Sequence, residues 1–387
     1  MGGITARSTR CFRISRGYDA AVKIDPQLIA AAQCDGDGVP LAGRRGELAA
    51  LRRAGYVDLS VGRIYEGHVN ALQLVGRFGT AAQRETAHDD VAHGRLFGVW
   101  NTQDDEPVRI VADGARFGLA GAKSWASGAA FVTRPIVTAA WPDGSLQMCL
   151  VPMDAVAPAI DASAWQPHGM HDSQSYLVAF DGVALDAERL VGGPGDYVRQ
   201  PWFFGGAIRF TAVQTGGIER LVYETARYLA ERGRDGDLVQ SMRLGEMRVA
   251  LRTAQHWLDA GADAWSAYDA AARAPDVHSD AARQRAAEDV VETADGARIA
   301  IERAALEVIE RAMRAVGARG LLEPLPFVRL VRDLEMYLRQ PAPDAVIARV
   351  GRFAFAAASA QRSAASADDS GSGATRANAS DAQASKR

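Results

Sequence analysis

The chain has 387 residues, of which 48% are hydrophobic and 24% are charged, and its formal net charge is -3. These values are ordinary for a globular protein of two or three packed regions, and the absence of a basic block argues against a nucleic-acid partner. Cys11, Cys34 and Cys149 lack metal-ligand spacing, so we expect no metal site and no disulfide framework, as in a reducing, cytoplasmic compartment. No apolar run approaches the ~18–20 residues of a membrane span, and the Arg-rich start lacks the apolar segment of a secretory signal.

The first region, residues 1–97, shows helical periodicity. Apolar residues recur at helical spacing from Leu48 to Phe78, with breaks at Gly55 and Gly79. Thr80 then opens a further helix that ends near Gly94. An N-terminal helical domain is therefore predicted.

The second region, residues 98–198, has the texture of a small β-domain. Its turns are predicted at Asp113–Gly114, Pro142–Asp143–Gly144 and Asp181–Gly182, at roughly hairpin spacing. The β-rich runs between them are Leu96–Trp100, Val108–Val111, Phe131–Ala139, Gln147–Val151 and Tyr176–Phe180. The spacing predicts an antiparallel sheet or barrel.

The third region, residues 199–360, returns to helix. Its long amphipathic patterns are typical of a four-helix bundle, and they span Gly217–Arg232, Leu238–Asp269, Ala286–Val316 and Leu325–Tyr337. The tail, residues 361–387, is rich in Ala, Ser, Asp and Gly and is predicted to be disordered. The predicted fold class is α+β multidomain, with helical, β and bundle regions in that order.

Several separated segments resemble motifs of the acyl-CoA dehydrogenase family, a group of flavin enzymes. They occur in the family's order over roughly residues 60–355. The similar segments are Trp100–Asn101–Thr102, Gly121–Ala122–Lys123–Ser124–Trp125–Ala126–Ser127, Gly169–Met170–His171–Asp172–Ser173, Phe180–Asp181–Gly182–Val183, Val191 to Tyr197, Glu231–Arg232, Gly317–Ala318–Arg319–Gly320 and Arg332–Asp333. The resemblance implies the family's three-part fold, which matches the order of the regions above.

The resemblance also implies FAD as the cofactor and a homodimer or homotetramer as the assembly. Residues that it assigns to the flavin are Trp100, Asn101 and Thr102 along one strand, Trp125 and Ser127 as a wall beside the ring, Arg232 for a neighbouring subunit's cofactor, and Gly317 and Gly320 near the adenosine diphosphate. Trp125 and Ser127, two residues apart on one strand, would point to the same face.

Each assignment has a structural alternative. Trp125 and Ser127 are equally consistent with a packed tryptophan and a solvent-facing serine, and Asn101 with an ordinary strand edge. Arg232 would also suit a helix C-terminus, whose dipole favours a cation. Gly317 would also serve as the C-cap of the preceding helix.

Two departures from the family bear on activity. A loop that follows the first motif in the family is contracted here to Gln103–Asp104–Asp105–Glu106–Pro107. An alignment on Arg332–Asp333 places Pro341 at the family's catalytic glutamate, and the family's alternative base position falls near Ala207 and Ile208. None of these side chains accepts a proton. His68 and Asp344 are the first candidates for a replacement base.

Three functions therefore stay open. The first is a divergent flavin-dependent oxidoreductase that acts on the CH–CH group of an acyl-CoA thioester or a related small molecule with a non-standard base. The second is a flavin-dependent monooxygenase of the same fold, which activates oxygen and requires no carboxylate base. The third is a non-catalytic relative that serves as a scaffold or partner subunit.

Overall fold

The computed structural model describes residues 26–102, 107–113, 116–274, 279–359 and 361–362. Residues up to Gln340 form one compact unit, and residues from Pro341 onwards form a second, which contains a helix over 343–359. The Arg-rich start, most of the contracted loop and almost all of the predicted disordered tail lie outside the described residues.

Four helices precede the sheets, and local capping explains where two of them begin. The Asp58 carboxylate accepts from the Val61 N–H at the start of the third helix. Thr80 opens the fourth helix, as the sequence predicted, and forms a capping box there with Gln83. The third helix is buried on most of its surface, so it is the central element of this region. The four helices are α1 (Pro26–Ala32), α2 (Gly43–Val57), α3 (Leu59–Phe78) and α4 (Ala81–Ala92).

Ten strands and one short helix follow in the described part of the chain. They are β1 (Phe97–Trp100), β2 (Arg109–Asp113), β3 (Arg116–Ala120), β4 (Ala122–Ala126), β5 (Arg134–Ala140), β6 (Leu146–Leu150), α5 (Met153–Val156), β7 (Ala159–Asp161), β8 (Tyr176–Ala179), β9 (Val183–Leu185) and β10 (Leu190–Val191). One sheet has the order β10-β6-β5-β2-β3-β9, with β1 also paired to β5, and the second has the order β4-β8-β7.

The larger sheet is mixed, which corrects the predicted antiparallel β-domain. β1 pairs with β5 in parallel from Phe97 opposite Arg134 to Trp100 opposite Val137, and β2 meets the end of β5 in parallel. The predicted hairpin turn at residues 142–144 does join β5 to β6 antiparallel. Turn residues predict only pairs of strands that are neighbours in sequence. β1 and β5 pair directly, but three strands separate them along the chain.

Five further helices complete the first unit: α6 (Trp202–Gly205), α7 (Ile208–Ala230), α8 (Leu238–Arg273), α9 (Ser279–Gly320) and α10 (Phe327–Leu338). α8 and α9 pack along each other, α7 packs against both, and α10 packs against α7 and α9. Helical geometry in α9 is interrupted at Gly317. None of the described helices combines the length and apolar character needed to cross a membrane.

The helices α2 and α7 cross at glycines. A Cβ atom on Gly55 would lie 2.0 Å from the Val213 carbonyl oxygen, and one on Gly216 would lie 2.0 Å from the Arg52 carbonyl oxygen. The sequence predicted a break at Gly55 and a helix only from Gly217, but α2 runs through Gly55, and α7 begins at Ile208 and runs through Gly216. These glycines permit close backbone contact rather than ending the helix.

Segment 168–173, between β7 and β8, is fastened to α10. The Met170 N–H donates to Asp333 Oδ1 at 2.6 Å, and a Cβ on Gly169 would lie 2.1 Å from the Arg332 carbonyl oxygen. Arg329 donates to Asp172 at 2.8 Å and, at 2.6 Å, to Asp58 at the start of α3. Two of the family-like motifs therefore pack directly against each other.

Candidate functional site

The end of β1 is held by a buried lysine. Lys123 is fully buried, and its ammonium donates to the Asn101 carbonyl oxygen and to Thr138 Oγ1, both at 3.1 Å. Thr138 in turn donates to Asn101 Oδ1 at 2.9 Å. Burial lowers the pKa of Lys123 to about 8. Asn101 is thus fixed through both its backbone and its side chain, while Thr102 beside it is exposed.

Trp100 belongs to the core rather than to an open face. Its side chain is 1% exposed, and its indole N–H donates to the Ser127 carbonyl oxygen at 3.0 Å. It therefore connects β1 to the turn after β4, and it can border a ligand only through its backbone.

Trp125 and Ser127 do not alternate along a regular strand, which corrects the expected geometry. Trp125 has a left-handed backbone, with φ of 56°, and the β4–β8 pairing shifts register between Lys123 and Ala126. Ser127 lies in the turn after β4. A bulge of this kind re-aims a side chain, and Trp125 is 53% exposed, edge-on to Trp165.

Ser127 is the end of a row of hydroxyl groups. Ser175 Oγ donates to Ser127 Oγ at 3.0 Å, and Ser173 Oγ lies 2.9 Å from Ser175 Oγ. The Gly128 N–H donates to the Ser173 carbonyl oxygen at 2.7 Å, which holds the turn in place. Since Ser127 Oγ accepts from Ser175, its own proton is available to a further acceptor.

Tyr228 contacts both Arg232 and Val316, the residue before Gly317. The Arg232 guanidinium lies 3.6 Å from the centre of the Tyr228 ring, and the Tyr228 hydroxyl donates to the Val316 carbonyl oxygen at 3.4 Å. Gly317 has φ 59° and ψ -173°, a conformation open essentially to glycine alone. A Cβ on Gly320 would lie 2.4 Å from Val316 Cβ, so Gly320 has a packing role of its own.

A buried charged group, which we call the Glu66 cluster, joins α3 to α7. Glu66 is 5% exposed and accepts from Arg63 at 2.6 Å and from Arg209 at 3.2 Å. Arg209 also donates to Gln73 Oε1 at 3.0 Å. Two arginines face one glutamate here, so one positive charge is in excess. The sequence analysis missed this cluster, because the helical spacing of Arg63 and Glu66 signals only a surface ion pair.

Tyr337 lies near this cluster and is buried. Its pKa is raised by burial, with smaller opposing effects from Arg63 and Glu66. Its hydroxyl has no hydrogen-bond partner among the described residues. A buried hydroxyl without a partner is costly in a folded protein, so this atom is a candidate contact for a bound molecule.

The other candidate bases do not provide a proton acceptor. His68 is 1% exposed, its Nδ1 accepts from the Phe97 N–H at 3.1 Å, and burial lowers its pKa to about 4. Nε2 therefore carries the proton of the neutral ring. Ile208 is buried, and Asp344 lies exposed in the second unit. Within the described ranges no group of His, Cys, Asp and Glu side chains is arranged to hold a metal ion.

Comparison of the sequence with models of protein families and with curated proteins finds no match. Several solved structures, by contrast, are similar to the structure of this chain. FMN-bound TdsC from Paenibacillus sp. A11-2, a dibenzothiophene monooxygenase, has a TM-score of 0.72 and 19% identity, over 84% of this chain and 87% of that one. KijD3 in complex with FMN and a dTDP-sugar has a TM-score of 0.70 and 18% identity, over 83% of each chain. Methanesulfinate monooxygenase MsuC from Pseudomonas fluorescens has a TM-score of 0.71 and 20% identity, over 86% of this chain and 88% of that one.

TdsC and KijD3 are bound to FMN in these structures, and the similarity shows that this chain shares the neighbours' mixed, helix-rich α+β fold, in agreement with the predicted fold class. The residues of the β4 turn fit a flavin ring, since Trp125 offers an exposed aromatic face and Ser127 an available hydroxyl proton.

Proposed function

We propose that this chain is a flavin-dependent monooxygenase that oxidises a small molecule at sulfur or nitrogen. The observation that carries the proposal is the state of Glu66, whose two oxygens are both engaged by arginines. These hydrogen bonds tie the Glu66 side chain to Arg63 of α3 and Arg209 of α7 instead of leaving it turned toward a substrate. Pro341, aligned with the family's glutamate, has no ionisable group. A reaction that begins with loss of a C–H proton to a carboxylate base is therefore disfavoured.

Oxygenation needs no such base. When bound, reduced flavin supplies two electrons and activates O₂, so that one oxygen atom enters the substrate and the other leaves as water. The neighbours named as monooxygenases, TdsC and MsuC, take sulfur-containing substrates by their names. The dTDP-sugar bound to KijD3 carries an amino group. Together these neighbours support sulfur or nitrogen as the oxidised atom.

The chain's own residues would bind the flavin and the substrate and orient them. Ser127 donates its hydroxyl proton toward the flavin ring, Trp125 covers one face of that ring, and Lys123 keeps Asn101 rigid beside it. The Tyr337 hydroxyl donates to an oxygen of the substrate. The excess positive charge of the Glu66 cluster favours a substrate that carries an acceptor or an anionic group near Tyr337.

The flavin is proposed to be held at two places. The ring and first phosphate are common to FMN, found in two neighbours, and to FAD, predicted from Arg232, Gly317 and Gly320. Only FAD has an adenosine end, and that end would contact these three residues. A second copy of the chain would supply them. An Arg232→Gln variant should therefore weaken FAD binding about 10-fold, equivalent to about 1.4 kcal/mol, and leave FMN binding unchanged. Quenching of flavin fluorescence measures both.

The activity is tested with purified protein, FMN and a separate NADH-dependent flavin reductase under ¹⁸O₂. Methanesulfinate, whose anionic oxygens can accept from Tyr337, is the first substrate, and dibenzothiophene and indole, which carry no oxygen, are compared with it. Mass spectrometry should find one ¹⁸O atom in a product. A Ser127→Ala variant should form that product about 10-fold more slowly.

Two results would contradict the proposal. If butyryl- or octanoyl-CoA bleaches the bound flavin without oxygen, the chain is a dehydrogenase with another base. If neither FMN nor FAD binds even after reconstitution, the chain is a non-catalytic relative.

A further inference from the structure

A small cavity separate from the β4 turn lies between α2, α3, α7 and α8. Its volume is about 20 Å³, and three arginines line it, Arg44, Arg77 and Arg209, together with Gln73 and Trp202. Roughly 10–15 Å³ is enough for one water molecule, so the cavity has room for one monatomic ion.

Two donors at this cavity have no acceptor among the described residues. The Gln73 side chain is 8% exposed, and its Nε2 has no hydrogen-bond partner. Its amide orientation is determined, because Oε1 must face the Arg209 donor at 3.0 Å. The buried Trp202 indole N–H is likewise without a partner. Both groups donate and neither accepts.

The three arginines that line the cavity differ in whether a carboxylate is bonded to them. Arg44 bonds to Asp269 at 2.8 and 3.0 Å, and Arg209 bonds to Glu66. Arg77, by contrast, donates to the Asp37 backbone carbonyl and stacks on Trp202, with no carboxylate bonded to it within the described chain. Burial, followed by repulsion from Arg44, lowers the pKa of Arg77 to about 10. A partly desolvated cation without a counter-ion favours an anion nearby.

We propose that this cavity is a binding site for a halide ion, chloride under ordinary conditions, held by Arg77, Gln73 Nε2 and Trp202 Nε1. A chloride accepts from all three donors at once. A water molecule in the same place would need acceptors for its own two protons. Asn70 is the one lining side chain with a carbonyl oxygen not already engaged.

The test compares melting temperatures of the full chain in sodium chloride, sodium bromide and sodium gluconate at one pH and one ionic strength. Chloride and bromide should raise the melting temperature over gluconate by on the order of 2–4 °C, and the rise should saturate with halide concentration. Crystals grown with bromide should show one anomalous peak in the cavity.

Variants test whether the halide-dependent rise in melting temperature originates in this cavity. Arg77→Met removes the unpaired cation, and Trp202→Phe removes the N–H while keeping the aromatic ring, so each should reduce the halide-dependent rise by at least half. Arg116→Met, at an exposed ion pair with Asp186, should retain it. If Arg77→Met does not fold, Trp202→Phe and the bromide crystal decide. Equal melting temperatures in the three salts, a water in the cavity of the bromide crystal, or a rise retained by the cavity variants would each overturn the proposal.

Discussion

Among the described residues the Lys123 ammonium has two oxygen acceptors and no carboxylate partner, which makes its position dependent on both hydrogen bonds. A Lys123→Met variant keeps the unbranched chain as far as Cε and removes the donors. We expect a loss of about 1–3 kcal/mol in the free energy of unfolding and weaker FMN binding, because Asn101 is no longer held.

Urea denaturation and fluorescence titration measure these two effects. Thr138→Val is the control for the network, since it removes one acceptor and leaves the lysine in place, and it should produce a smaller loss of both. Unchanged FMN affinity in Lys123→Met would separate this network from the flavin site.

His68 makes stability depend on pH. The unfolded chain takes up a proton on this ring near pH 6.5, whereas the folded protein does so only near pH 4. The stability that His68 contributes is therefore complete above pH 6.5 and is lost as the pH falls toward 4. Between pH 7.5 and 4.5 the expected loss is about 2–3 kcal/mol.

Urea denaturation of a His68→Asn variant at several pH values checks this. Asparagine retains an acceptor for the Phe97 N–H, so the variant should fold and show a correspondingly smaller loss at low pH. The exposed His256→Asn variant should behave like the unmodified protein. An undiminished pH dependence in His68→Asn would assign the effect to other groups.

At the scale of the elements, the contact between segment 168–173 and α10 leaves no room at Gly169. A methyl group there would approach the Arg332 carbonyl, which is backbone and cannot rotate away. Gly169→Ala should destabilise the protein by about 1–3 kcal/mol.

Thermal denaturation measures this, with Gly245→Ala as a matched control. Gly245 lies within α8, and an added Cβ would have no atom within 4 Å, so alanine should stabilise the helix there by up to about 1 kcal/mol. Similar shifts in the two variants would refute the close contact.

The sequence predicts those elements whose boundaries are set by residues close to each other in the chain. The capping box at Thr80 and the turn at residues 142–144 act within a few residues, and both are present. The parallel pairing of β1 with β5 depends on distant segments and leaves no local signal. The same distinction holds at the site. The motif around Lys123 was visible, but its partners Asn101 and Thr138, and the bulge at Trp125, follow from the folded arrangement.

At the scale of the whole molecule, α8 presents exposed apolar side chains along one helical spacing. Val239, Met242 and Val249 are 53%, 62% and 68% exposed, and they begin seven residues after Arg232. An apolar face of this kind suits a contact between copies of the chain. We expect a homodimer or homotetramer through the bundle, which would also deliver Arg232 to a neighbour's flavin.

Light scattering at micromolar concentration tests the assembly. The unmodified protein should be an oligomer, and Met242→Asp with Val249→Asp should shift it toward monomer and weaken FAD binding. Val57→Asp, at an exposed valine of α2, is the control and should not. A monomeric unmodified protein would contradict both the interface and the role of Arg232.

The glycine crossing of α2 and α7 has a consequence for how the protein is made. Gly55 rests on Val213, so α2 leaves the ribosome long before the helix that covers it has been translated. At ~5–20 residues per second, the interval is roughly 10–30 s. During that time the face of α2 that carries Leu51 and Ala54, both fully buried in the finished protein, has no permanent partner. The nascent chain should therefore depend on chaperones most strongly before residue 216 has emerged, and synonymous codons that slow translation between α2 and α7 should lower the yield of folded protein.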